Sequence, residues 1–258
     1  MIVAVLQSRL TSNRLPGKVL LPILGQPMLV RQIERVRRAR TIDVLKVATS
    51  TDASDDPIAG LCRQLGIHCF RGALGDVLDR FFQATQHDGA EYVVRLTGDC
   101  PLIDAELIDR VVRFTLEGGF DYASNTLEPS FPDGLDVEVF RFRCLEEAWR
   151  EAQLPSEREH VTPFIYRQPR RYRLGSYKAE VDLSALRWTV DYPEDYEFVR
   201  QVYEDLFPSK PCFTTADVLD LLKRRPELPA LNAGVTRNAG YKKSLEQDAE
   251  FLAGKKPS

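Results

Sequence analysis

Four short apolar runs in the first hundred residues constrain the fold more than any other feature. Residues 2–6, 44–49, 67–70 and 92–96 are apolar enough for buried strands, and each gives way to a polar loop. Helical spacing then follows each loop. After Pro27 it is carried by Leu29, Ile33 and Val36; after Asp55-Asp56-Pro57 by Ile58, Leu61, Cys62 and Leu65, closed by Gly66. A helix over 76–84 buries Val77, Phe81 and Phe82, and one over 104–117 carries Ile108, Val111, Val112 and Leu116 before Gly118-Gly119. Repeated strand, loop, helix units of this length predict a mostly parallel sheet with helices on both faces, a Rossmann-like α/β architecture. The loops leaving these strands then share one edge of the sheet, where open α/β folds bind ligands.

The loop over 7–18 is the most informative of the four. It carries Arg9, Arg14 and Lys18 with no acid, hydroxyls on Ser8, Thr11 and Ser12, and a backbone made approachable by Gly17. Three cations and free amides suit a triphosphate, although a solvated basic loop would look the same by charge alone. Ser12 and Val19 stand where a Walker A loop needs glycine and a hydroxyl residue, and no Gly-x-Gly-x-x-Gly follows the first strand. A P-loop ATPase and an NAD fingerprint are therefore excluded.

Net charge over all 258 residues is −3, which argues against a general nucleic-acid or membrane binder. Residues 1–40 alone hold eight basic residues and one acid, a local field suited to a small anion. Five cysteines without a Cys-x-x-Cys pair give no disulfide framework and no zinc site. No apolar run reaches membrane-spanning length and no basic leader precedes one, so a cytoplasmic enzyme is the simple expectation.

Past Tyr122 the rhythm changes. Pro129 and Pro132-Asp133-Gly134 predict a loop, 135–140 a strand, and 143–152 and 156–166 helices. Residues 171–176 and 180–183 look like an inserted exposed hairpin, and 186–190 like a further core strand with Asp191 at its end. Helices are expected over 193–206 and 215–225. The resulting organisation is one domain over 1–226 and a C-terminal tail over 227–258, with a helix near 244–252.

Several motifs in one order carry a resemblance. They are Arg9…Ser12-Asn13-Arg14-Leu15-Pro16-Gly17-Lys18, Leu24-Gly25-Gln26-Pro27-Met28-Leu29, Asp76-Val77-Leu78-Asp79-Arg80, Thr97-Gly98-Asp99-Cys100-Pro101, Pro132-Asp133-Gly134-Leu135-Asp136-Val137-Glu138, Arg158-Glu159-His160-Val161-Thr162-Pro163 and Asn232-Ala233-Gly234-Val235. Together they resemble the cytidylyltransferases for ketodeoxyoctonate and sialic acids, and within that superfamily the spore coat polysaccharide biosynthesis protein F group. The resemblance implies the nucleotide-diphospho-sugar transferase form of the fold, and a Mg2+-dependent reaction of CTP with a small acidic acceptor to give a CMP-linked product and pyrophosphate. It also implies a homodimer, with 171–183 as a candidate contact.

Asp99 and Asp191 are the implied metal ligands, each at a strand end; a turn or helix-cap role is the alternative for both. Arg9, Arg14 and Lys18 would neutralise the β- and γ-phosphates. Leu6, Gln7, Ser8, Ser12, Thr97 and Gly98 are placed for nucleotide contacts, and Asp52, Arg71, Asp76 and Arg80 for base or ribose, unless they only cap and pair locally. Asp133, Asp136, Glu138, Arg158 and His160 are the candidates for the acceptor. Cys100 departs from the Glu or Ser of the better-known enzymes.

Two rivals stand beside this reading. A glycosyltransferase of related fold would carry Asp-x-Asp, and 52–55 and 133–136 have the wrong spacing for it. Joint retention of Lys18, Asp99 and Asp191 argues against a non-catalytic nucleotide-binding module.

Overall fold

The computed structural model describes residues 1–235 and 239–254. β1 (Ile2–Gln7) runs into the basic loop, which Gly17 closes at φ 69 so that Lys18 opens a 3-10 turn. A two-stranded hairpin, β2 (Pro22–Ile23) and β3 (Gln26–Pro27), leads into α1 (Met28–Val36). β4 (Val44–Ser50), α2 (Asp56–Gln64), β5 (His68–Gly72), α3 (Val77–Thr85), β6 (Tyr92–Thr97) and α4 (Ala105–Gly118) complete the predicted alternation. Asp76 and Asp104 cap α3 and α4, each accepting from backbone N–H groups of the first turn.

The remaining elements are β7 (Tyr122–Ser124), β8 (Glu138–Arg141), α5 (Phe142–Glu151), α6 (Pro155–His160), α7 (Pro163–Tyr166), β9 (Leu174–Ser176), α8 (Pro193–Leu206), α9 (Thr215–Arg224) and α10 (Ala239–Gly254). The main sheet has seven strands in the order β5-β4-β1-β6-β8-β7-β9. Only β8 is antiparallel to its neighbours, so the sheet is mostly parallel, as expected. β1 is apolar on both faces because both are covered. Ala4 and Leu6 belong to one core cluster, Val3 and Val5 to the other.

Several boundaries differ from the sequence reading, each for a physical reason. The helix expected over 156–166 breaks into α6 and α7 around Val161, whose φ of 72 is strained for a β-branched residue, and Pro163 restarts it. Residues 135–137 stay outside the ladder because the Asn125 side chain takes their backbone groups: its amide donates to Leu135 O and its carbonyl accepts from Val137 N, both at 2.8 Å. The small hairpin of the fold lies at 22–27, whereas 171–183 contributes β9, which pairs in parallel with β7.

Residues 186–190 form no regular strand. They make one bridge, between Arg187 and Asp133, and Val190 N donates to Asp99 O at 2.8 Å. Beyond 226 the chain packs onto the rest: Leu228 is fully buried, and α10 hydrogen-bonds to α6. All five cysteines are free thiols. Among the described residues no helix is long and apolar enough to cross a membrane.

Candidate active site

The carboxyl ends of β1 and β6 open into a cavity of about 570 Å³. The basic loop forms one wall, and α6 and α10 another. Gly98 lets the strand ends come together, since a Cβ there would meet Ser8 Oγ at 2.9 Å and Gln7 O at 3.0 Å. The Ser8 hydroxyl is buried in this wall with no hydrogen-bond partner among the described residues. Gln7 is steadied by Arg95, whose Nε donates to its side-chain carbonyl at 3.1 Å.

At the centre stands Lys18. Its ammonium donates to Asp99 Oδ2 at 3.1 Å, Asp191 Oδ1 at 2.9 Å and Val190 O at 2.6 Å. Burial works against this charge, but the two carboxylates outweigh it and hold the lysine pKa above its ordinary value. Burial likewise opposes the Asp99 charge, and Lys18 overcomes it, lowering the carboxyl to about 2. Arg14 adds a second cation to Asp191 at 2.6 Å. Two acids 92 positions apart thus converge on one cation.

The chemistry of this pair suits a divalent ion. Among the described residues no cluster of three or more His, Cys, Asp or Glu could hold a metal alone. Two carboxylates facing a phosphate-sized cavity are nonetheless the donor set that Mg2+ takes when substrate oxygens and water complete its shell.

Arg187 positions Asp191. Only 8% exposed, it donates to Asp133 at 2.8 Å, to Asp191 Oδ2 at 3.0 Å and to both oxygens of Asp195 at 2.8 and 2.9 Å. Asp195 is fully buried and accepts from Asp191 N and Tyr192 N, so the start of α8 holds the Asp191 backbone as well.

Of the residues singled out from sequence, Gln7, Ser8, Arg9, Ser12, Arg14, Lys18, Arg80, Thr97, Gly98, Asp99, His160 and Asp191 line the cavity. The others lie elsewhere. Leu6 has its side chain in the core. Asp52 accepts from Ser54 N, and Arg71 donates to the carbonyls of Ser50 and Asp52 and pairs with Asp56. Asp76 caps α3 and binds Arg158 Nε at 3.0 Å; the local pair with Arg80 does not form. Asp133 is held by Arg187, and Glu138 is buried against Arg95, Tyr122 and Thr162. Asp136 is absent from the lining.

The sequence reading passed over Arg95, Glu159, Lys243, Ser244 and Gln247, which also line the cavity. Arg95 was detectable as a lone charge inside an apolar strand. Residues 240, 243, 244 and 247 have helical spacing, but polar spacing in a polar helix gives no periodic signal.

His160 Nε2 lies 2.9 Å from Ser244 Oγ, and that hydroxyl donates to Glu159 Oε2 at 2.7 Å. The serine proton is therefore engaged, and His160 must donate through Nε2–H, leaving Nδ1 able to accept. Burial, followed by the Arg95 charge, lowers the imidazole to about 4. We expect an NMR titration to show His160 neutral down to about pH 4. Since the unfolded chain protonates its histidine near pH 6.5, this group's contribution to stability is present above that pH and is lost as pH falls towards 4. An imidazole that titrates above pH 6 contradicts the arrangement.

Comparison with known proteins gives the family and the fold. Residues 3–255 match the cytidylyltransferase family model. The spore coat polysaccharide biosynthesis protein SpsF of Bacillus subtilis is 33% identical over 233 residues, covering 88% of this chain and 95% of that protein. A cytidylyltransferase from Leptospira borgpetersenii superposes with a TM-score of 0.84 at 30% identity, over 91% of this chain and 98% of the other. A CMP:2-keto-3-deoxy-manno-octonic acid synthetase complexed with CTP shares the fold, at a TM-score of 0.61 and 17% identity over 79% and 98% of the two chains. With a family match along nearly its whole length and a relative of this similarity, the chain belongs to the cytidylyltransferase family.

Proposed function

We propose that this cytidylyltransferase joins the CMP portion of CTP to an oxygen of a small acidic acceptor, releasing pyrophosphate, as a step in building a surface polysaccharide. The observation that carries it is the convergence of Asp99 and Asp191 on Lys18 beside the basic loop. Asp99 and Asp191 would hold Mg2+, which when bound offsets phosphate charge and polarises the α-phosphate. Arg14 and Lys18 bind phosphate oxygens and stabilise the departing pyrophosphate. Arg187 keeps Asp191 aimed. His160, held neutral by burial and the Arg95 charge, is the residue of the expected acceptor set that lines the cavity, where its ring can hydrogen-bond the acceptor.

The name of the Bacillus relative supports the polysaccharide step, and the acid in the synthetase's name supports the acceptor class; the cationic lining is consistent with it. Pyrophosphate release should be seen with CTP among four nucleoside triphosphates offered with a panel of sugar acids. A preference for another triphosphate across the whole panel removes the cytidylyl assignment.

The reading includes a homodimer through the sheet edge at β9 and the adjoining segment, where Val181 is 66% exposed. Light scattering at micromolar concentration should then give twice the 29.3 kDa chain mass. A single-chain mass removes the dimer.

A further inference from the structure

We propose that α10 is a wall of the nucleotide site and that Lys243 binds the triphosphate of the incoming nucleotide; this rests on the CTP reading above. The helix is polar, yet it is seated in a defined register. Asp248, 7% exposed, accepts from Ser156 N at 2.8 Å and from Ser156 Oγ at 2.6 Å. Ser244, 2% exposed, bridges Glu159 and His160. Tyr241 meets the hydroxyl of Tyr166 at 2.9 Å and the edge of His160. Buried polar bonds of this kind are costly to misalign, so they specify which face of α10 looks inward. That face brings Lys243 and Gln247 to the cavity.

The charge balance of the cavity then points to an anion. Of its carboxylates, Asp99 and Asp191 are paired with Lys18 and Arg14, and Glu159 faces Arg9 at 3.9 Å and accepts from Ser244. Arg95 is neutralised by Glu138. Lys243 and Arg80 make no ion pair among the described residues. Arg80 is 2% exposed, its Nη2 donates to Leu74 O at 3.1 Å, and its Nε is buried without a partner. Two cations without an ion pair among the described residues, in a cavity that already contains the phosphate loop, fit a polyphosphate better than a single carboxylate. The link from Arg9 of that loop through Glu159 to Ser244 places α10 beside the phosphate end of the cavity.

The test is equilibrium binding of CTP and of CMP to the full chain, in Mg2+, for wild type, Lys243→Ala, Lys243→Glu and the neighbouring Lys242→Ala. Lys243→Ala should weaken CTP binding about tenfold, Lys243→Glu more, with CMP affinity changed less than about twofold. Lys242→Ala should leave both unchanged. The CTP loss should shrink as salt rises. Because Lys243 is exposed, the variants should melt with wild type, which separates lost charge from an undocked helix. Unchanged CTP affinity in Lys243→Ala, or equal losses for CTP and CMP, overturns the proposal while the CTP reading stands. A wild-type chain that binds no CTP overturns that reading itself.

Discussion

Replacing Lys18 with alanine should lower turnover roughly 10²–10³-fold, the scale on which one preorganised group facing developing charge acts. The same range is expected for Asp99→Asn and Asp191→Asn at saturating nucleotide and Mg2+. Steady-state pyrophosphate release checks all three, and full activity in any one removes that residue from the chemistry. Lys18→Ala has a second signature. Without the ammonium, burial and a nearby like charge should carry Asp99 up from about 2. In wild type the folded Asp99 pKa lies below the unfolded value of 3.8, so its pairing stabilises the fold above about pH 4 and is lost as pH falls towards 2. The variant should lose that acid-limb dependence.

Arg187→Met carries the largest expected loss of stability. It removes the cation that pairs with the fully buried Asp195 and one donor to the buried Asp133, and removing one partner of a buried charge network costs about 3–5 kcal/mol. For a chain of this size the melting temperature should fall by roughly 10 °C. Asp191 loses the donor on Oδ2 as well, so turnover should drop in the fraction that remains folded. Adding Asp195→Asn should restore part of the stability but not the turnover. A melting temperature within about 1 °C of wild type contradicts the role given to Arg187.

The parallel strands, the basic loop and the strand-end position of Asp99 were legible because each is a local pattern: an apolar run, glycine and unopposed cations, a motif that ends a strand. Asp133, Glu138 and Arg158 were legible as charges but not as partners. Their counter-charges lie 54, 43 and 82 positions away, at Arg187, Arg95 and Asp76. Nothing local distinguishes a charge that will face substrate from one that will close an internal pair. The segment 186–190 misled for a related reason. Trp188 and Val190 are buried as a core strand's residues would be, but its backbone bonds go to Asp99 and Asp133 rather than to a ladder. The helix near 244–252 was legible, but its docking at the cavity was hidden because the seat of α10 depends on Ser244, Tyr241 and Asp248, polar residues that in sequence describe a solvated tail.

In the proposed reaction this cavity transfers the cytidylyl group of CTP, through its α-phosphorus, with pyrophosphate as the leaving group. Running the reaction in parallel with CTP labelled at the α- or the γ-phosphate, with a panel of sugar acids as acceptors, tests it most directly. α-Label should appear in a CMP-linked product and γ-label in pyrophosphate, in equal amounts, and both signals should be lost in Asp99→Asn. Release of γ-label as orthophosphate, with α-label retained in CDP, would contradict it.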